Sequence, residues 1–172
     1  MMSVRVAIDN DLPAGTVTPD PSPEHRTRLS APALRTFGNL ARLWNLSEAE
    51  RLALLGYPAR STLHKWNGDL KRGRAITLPF DMLMRLSALF GIYKGLRIIL
   101  NSDPEVAEWL RQPSTILPFA GQSPLELMIE GGFEGLLLVR RHIDAWRGGA
   151  WLGPADRAAV PPMFRPGDII FE

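Results

Sequence analysis

The stretch Gly121-Gln-Ser-Pro-Leu-Glu-Leu-Met-Ile-Glu-Gly-Gly132, running into Phe133-Glu-Gly-Leu-Leu-Leu-Val-Arg-Arg-His-Ile-Asp-Ala-Trp-Arg-Gly-Gly149, decides the fold class. Ser123 reads as a helix N-cap, because its hydroxyl can accept one of the free N–H groups of a first turn. Pro124 suits the first helical position, where no N–H is needed, and Glu126 completes a capping box. The Gly131-Gly132 pair stops this helix after two turns. A second helix, Phe133 to Arg147, follows at once, with Leu136, Val139, Ile143 and Trp146 on one face and Gly148-Gly149 at its end. The spacing predicts a compact helical corner.

Upstream, the same 3.6-residue period recurs. Leu34, Phe37, Ala41 and Trp44 lie on one face of a helix expected to begin after Ser30. Ser47-Glu-Ala-Glu50 is another capping box; the helix that it opens carries Leu52 and Leu55 and ends at Gly56. Gly56-Tyr57-Pro58 turns the chain into a third helix, Ala59 to Leu70, stopped near Gly73. Pro79 starts a long apolar helix through Phe80, Leu83, Leu86, Leu89 and Phe90, with Gly91 and Gly95 as possible breaks. Asn101-Ser-Asp-Pro104 caps a short helix over Glu105 to Arg111, which Pro113 terminates, and Ser114 to Gly121 is a loop. Residues 9–28 collect Pro13, Gly15, Pro19, Pro21 and Pro23 among polar neighbours, the composition of a flexible leader. The fold class expected is all-α: leader 1–29, a helix-turn-helix module 30–78, a helical module 79–149 and a tail 150–172. Only Asp168-Ile-Ile-Phe-Glu172 has the look of a strand.

The chain of 172 residues is 45% hydrophobic, enough for a real core. It has no cysteine, so no disulfide, thiolate nucleophile or thiolate metal site is available, in keeping with a reducing cytoplasm. Asp9, Asp11, Pro13 and Pro19 interrupt the place of a secretory signal, and no apolar run reaches membrane-spanning length. The net charge of +2 is unevenly spread. Residues 30–78 hold eight basic side chains (Arg35, Arg42, Arg51, Arg60, Lys65, Lys71, Arg72, Arg74) against three acidic ones (Glu48, Glu50, Asp69). The remainder is slightly acidic. Such asymmetry points to two partners, the first of them anionic, unless the cations merely cluster by chance.

Two short helices joined by a tight glycine turn match the helix-turn-helix plan, in which the second helix enters the major groove of DNA. On an ideal wheel Ala59, Leu63, Trp66 and Leu70 point to the core, and Ser61, His64, Lys65 and Gly68 point away. Arg can bond guanine bidentately and Ser or Thr several base-edge groups, so Arg60, Ser61, Thr62, His64 and Lys65 are the readout candidates. Lys71, Arg72 and Arg74 follow directly and suit phosphates, which position a protein without specifying sequence. In the last helix Leu138 falls opposite Leu136 and Ile143, an apolar residue on a polar face. With Arg140, Arg141, Asp144 and Arg147 as a charged rim it is a candidate partner contact; the alternative is a solvated face with one exposed leucine. Trp151, Met163, Phe164, Ile169, Ile170 and Phe171 make the tail apolar enough to dock on its own domain or on a partner.

From about Phe37 to Gly149 the chain resembles the Xre/MbcA/ParS-type antitoxins. Gly91-Ile-Tyr-Lys-Gly-Leu96, Trp109-Leu-Arg111 and Gly121-Gln-Ser-Pro-Leu125 through Gly149 carry the likeness to their toxin-binding half. Leu55-Gly-Tyr-Pro58 and Thr62-Leu-His-Lys-Trp66 resemble the Xre-like helix-turn-helix in front of it. The resemblance implies a type II antitoxin that neutralises a co-expressed toxin by direct binding and represses their shared promoter. It implies a RES-domain, NAD-destroying enzyme as partner, with the antitoxin obstructing its active site. Leu138, Arg140, Arg141, Asp144, Arg147, Trp151 and Phe171 are then the toxin-binding candidates, and paired operator half-sites imply a homodimer or higher oligomer. Two alternatives stand beside this: a stand-alone regulator that oligomerises through its second half, and a pure inhibitor that no longer binds DNA.

Catalytic chemistry is not legible. His25, His64 and His142 are scattered, no metal-ligand spacing appears, and Gly131-Gly-Phe-Glu-Gly135 lacks the preceding strand and the lysine of a phosphate loop. No enzyme activity, metal or cofactor is expected.

Overall fold

A computed structural model describes residues 21–149. Seven α-helices fill it, and no strand occurs among the described residues, so the all-α expectation holds. The order is α1 (Pro23–Leu43), α2 (Glu48–Leu54), α3 (Arg60–Lys71), α4 (Phe80–Ile99), α5 (Asp103–Arg111), α6 (Pro124–Glu130) and α7 (Gly132–Arg147). The tail, with Trp151, Phe171 and the strand expected at its end, lies outside the described residues, as does most of the expected leader.

Helix α1 begins at Pro23, well ahead of the start expected after Ser30. Ser22 caps it and Pro23 takes the first position, so residues assigned to a flexible leader are helical instead. The reason is tertiary. Ser30, fully buried, donates to the Arg26 carbonyl at 2.7 Å and accepts from the Leu78 N–H at 2.8 Å, while Arg26 Nη1 donates to the Leu78 carbonyl at 3.2 Å. These contacts hold the first turns although Pro32 removes one N–H from the helix.

The first three helices end in the same way. Asn45, Gly56 and Gly73 take positive φ of 50°, 85° and 69°, and the next N–H reaches back five residues: Leu46 to Ala41, Tyr57 to Leu52, Arg74 to Asp69. This is the Schellman closure, and it satisfies carbonyls that a helix end otherwise leaves open. At the second of these closures it forms the tight turn between α2 and α3.

Helix α4 runs unbroken through Gly91 and Gly95, the two possible breaks. Both glycines are there because α7 crosses at close range. A Cβ on Gly95 would lie 2.5 Å from Ile143 Cγ2, and one on Gly91 would overlap the Arg140 guanidinium. The α6–α7 corner is tighter still: a Cβ on Gly135 would run into the Leu127 carbonyl oxygen and stand 3.3 Å from Met128 Cα. Main chain therefore packs on main chain at the corner that the opening motif announced.

One apolar core spans the described residues. Leu34, Phe37 and Trp44 of the α1 region join Leu54, Leu78, Leu86, Leu89, Ile92, Leu96, Val106, Leu110, Met128, Leu136 and Ile143. It is continuous across residue 79. Leu63, Trp66 and Leu70 of α3 only half-bury against it, and no residue of α3 is fully buried.

Candidate functional site

Helix α2 passes into helix α3 through the tight Gly56–Tyr57 turn. Helix α3 starts at Arg60, and Ala59, expected on the core face, is its exposed N-cap. Arg60, Ser61, His64 and Lys65 are exposed, and Thr62 is half-buried. Four of the five readout candidates thus share an accessible surface. Arg60 lies 3.8 Å from Glu48 at the start of α2, both side chains mostly in solvent, so the pair is weak and readily exchanged for another acceptor. Behind them a cavity of about 220 Å³ is floored by Leu34, Phe37 and Leu63 and rimmed by Arg51, His64 and Asn67.

At the C-terminal end of α3 the basic turn is ordered by an acid. Asp69 Oδ1 accepts from Arg72 Nη2 at 3.1 Å and pairs with Arg74 Nη1 at 3.5 Å, whereas Lys71 is exposed. The Arg72 hydrogen bond holds the Asp69 carboxyl below its ordinary value, with Arg74 and Lys65 adding to the effect.

On α7 the expected charged rim is internally paired. Arg140 Nη1 donates to the Ser87 carbonyl of α4 at 3.2 Å, and its Nε lies 3.6 Å from Asp144. Arg147 shares Asp144 at 3.6 Å, and Arg141 pairs with Glu134 at 2.5 Å. Arg140 is therefore also a clamp on α4, filling the space that Gly91 leaves open. Leu138 is half-buried rather than freely exposed. It lies four and eight residues before His142 and Trp146, on one stripe of the helix.

That stripe leads to features the sequence did not disclose. Trp109, Phe119, His142 and Trp146 form an aromatic cluster: Phe119 and His142 meet edge-on at 4.6 Å between centroids, and Trp109 lies 5.9 Å from Phe119 and 6.1 Å from Trp146. Tryptophans with one apolar face and one polar edge suit surfaces that meet another protein. Arg111 of α5 reaches back across the fold to the α1–α2 junction. It donates to the Asn45 carbonyl at 2.9 Å and to Glu50 at 3.0 and 3.3 Å. Glu50 also closes the α2 capping box. The Arg111 hydrogen bond holds its carboxyl below the ordinary value, outweighing the upward push of burial. From α4, Arg85 lies between the Gly56 turn and the start of α7, its guanidinium 5.7 Å from the Phe133 ring centroid. Its Nε is buried with no hydrogen-bond partner among the described residues. The signal for Arg111 was present in the motif Trp109-Leu-Arg111, but its partner lay too far away in sequence to be named.

Among the described residues no three His, Cys, Asp or Glu side chains gather as a metal-binding group. No helix there is long and apolar enough to cross a membrane.

Residues 95–149 match the family described as antitoxin Xre/MbcA/ParS C-terminal toxin-binding domain. The matched region contains α5, α6, α7, the aromatic cluster and Arg111. The chain is also similar to the uncharacterized protein y4oB of Sinorhizobium fredii, with 39% identity over 116 residues, covering 67% of this chain and 84% of that protein. No solved structure matches. Over α5–α7 the chain is similar to the toxin-binding domain of the Xre/MbcA/ParS antitoxins, and as a whole it belongs to the same family as y4oB.

Proposed function

We propose that this protein is an antitoxin that neutralises a RES-type, NAD-degrading toxin by blocking its active site, and that it represses its own operon through α2 and α3. The observation that carries the proposal is the match of residues 95–149 to the antitoxin toxin-binding domain, on one core with a helix pair whose second member turns a polar, basic face to solvent. In this division of labour residues 30–78 read DNA and residues 79–149 hold the toxin. Arg60, Ser61, Thr62, His64 and Lys65 face base edges, and Lys71, Arg72 and Arg74 face phosphates. Leu138 contacts the toxin, with Arg140, Arg141, Asp144 and Arg147 around it and with Trp151 and Phe171 of the tail. The protein works in the cytoplasm as a homodimer or larger assembly on paired half-sites, and it is not an enzyme.

The experiment is co-expression with the product of the adjacent gene, read by growth rescue and copurification. Rescue with a stable complex supports the proposal, and a toxic neighbour that this chain neither binds nor silences overturns it. Gel shifts on the upstream DNA across several salt concentrations separate the antitoxin-repressor from a pure inhibitor, because phosphate contacts impose a steep salt dependence.

A further inference from the structure

The C-terminal turn of α3 carries more than a run of positive charge. Arg72 and Arg74 converge on the same oxygen of Asp69, and their side chains remain 57% and 66% exposed while that of Asp69 is only 15% exposed. The backbone is built for this convergence. Gly73 at φ +69° lets the chain reverse, and the Arg74 N–H returns to the Asp69 carbonyl at 2.9 Å, so both arms start from one closed turn. Gly68, one turn before Arg72, contributes as well. Glycine inside a helix is unfavourable, and a Cβ there would stand 3.2 Å from Arg72 Nη2. Its absence gives the guanidinium room to fold back along α3.

We infer that Asp69 is a positioning residue that holds the Arg72 and Arg74 guanidinia as a preformed fork for a nucleic-acid phosphate, an inference that rests on the DNA reading of α3. A guanidinium has five N–H donors, so engagement with one carboxylate oxygen leaves each arginine donors for a phosphate. Arginine is among the side chains that lose most rotamer freedom when fixed. Ordering two of them in advance removes that loss from the binding step.

Simple electrostatics, in which an acid beside DNA repels it and its neutralisation tightens binding, predicts the opposite behaviour of Asp69. The full-length protein is titrated with a duplex covering the DNA immediately upstream of its own reading frame, over a range of salt. Asp69→Asn keeps the shape, removes the charge and relieves an acid at a helix C-terminus, so folding is retained. The expected result is an affinity loss on the order of tenfold and a log–log salt slope flatter by roughly 0.9, one phosphate contact. In an Arg72→Ala/Arg74→Ala background the same substitution then costs nothing. Equal or tighter binding by Asp69→Asn, or an undiminished loss without the two arginines, overturns the inference and leaves the DNA reading standing. Wild-type protein that ignores this duplex overturns both.

Discussion

Replacing Gly135 by alanine tests whether the α6–α7 corner is set by main-chain contact. The added Cβ would overlap the Leu127 carbonyl oxygen and lie 3.1 Å from the Leu127 carbonyl carbon and 3.3 Å from Met128 Cα. All three are backbone atoms, so no rotamer change relieves the clash and α6 must move off α7. Overpacking costs up to about 3 kcal/mol when no side chain can yield. The better helix propensity of alanine returns about 1 kcal/mol, leaving a net loss of about 2 kcal/mol. For a domain of this size that lowers the melting temperature by roughly 8 °C. Gly38→Ala is the internal control: also within a helix, but with nothing inside 4 Å of the new Cβ. It should stabilise by about 0.5–1 kcal/mol. Urea and thermal unfolding of both variants, followed by circular dichroism, give the two free energies. Opposite signs are required. A Gly135→Ala protein as stable as wild type would show that the corner has slack, and the close-approach argument would fail.

Arg111→Ala should cost about 1.5 kcal/mol at neutral pH, the low end for a hydrogen bond to a charged group because Arg111 is 42% exposed. The folded Glu50 carboxyl is held below its ordinary 4.5, so its contribution is present above that pH and is lost as pH falls through the lowered folded value. The stability gap between wild type and Arg111→Ala should therefore narrow in acid, and urea midpoints with an unchanged gap at low pH would contradict this. Arg60→Ala should weaken operator binding by about 1–3 kcal/mol while sparing toxin neutralisation; gel shifts and growth rescue on the same variant check it, and loss of both activities would indicate a folding defect. Leu138→Glu should abolish growth rescue with little change in melting temperature. If rescue survives, the partner face lies elsewhere on α5–α7.

Much of the fold was legible because it is written locally. Ser123, Pro124, Glu126 and the glycines after Glu130 specify α6 and its corner through contacts within four residues of one another, and the structure follows them. The start of α1 was not legible, since what holds residues 23–29 in helix is Leu78, 48 residues beyond Ser30. Gly91 and Gly95 misled for a related reason. A glycine that breaks a helix and one that admits a neighbouring helix are the same letter, and only Arg140 and Ile143 above them tell the two apart. The exposed face of α3 was readable from its period, but the lesser burial of Leu63, Trp66 and Leu70 was not. The cluster of Trp109, Phe119, His142 and Trp146 arises only when α5, the following loop and α7 come together, so no window of sequence contains it.

The continuity of the core across residue 79 fixes how this molecule fails. Leu78 and Trp44 are walled by side chains from α4 onward, and Arg111 fastens the far end to the near one. A core shared in this way favours all-or-none melting of its helices. A cellular protease that waits for one of the core helices to open finds the others loosened with it, whereas the half-buried α3 can open by itself. The working lifetime of that core is a single number, set by one unfolding barrier and inherited alike by the surfaces of α4–α7.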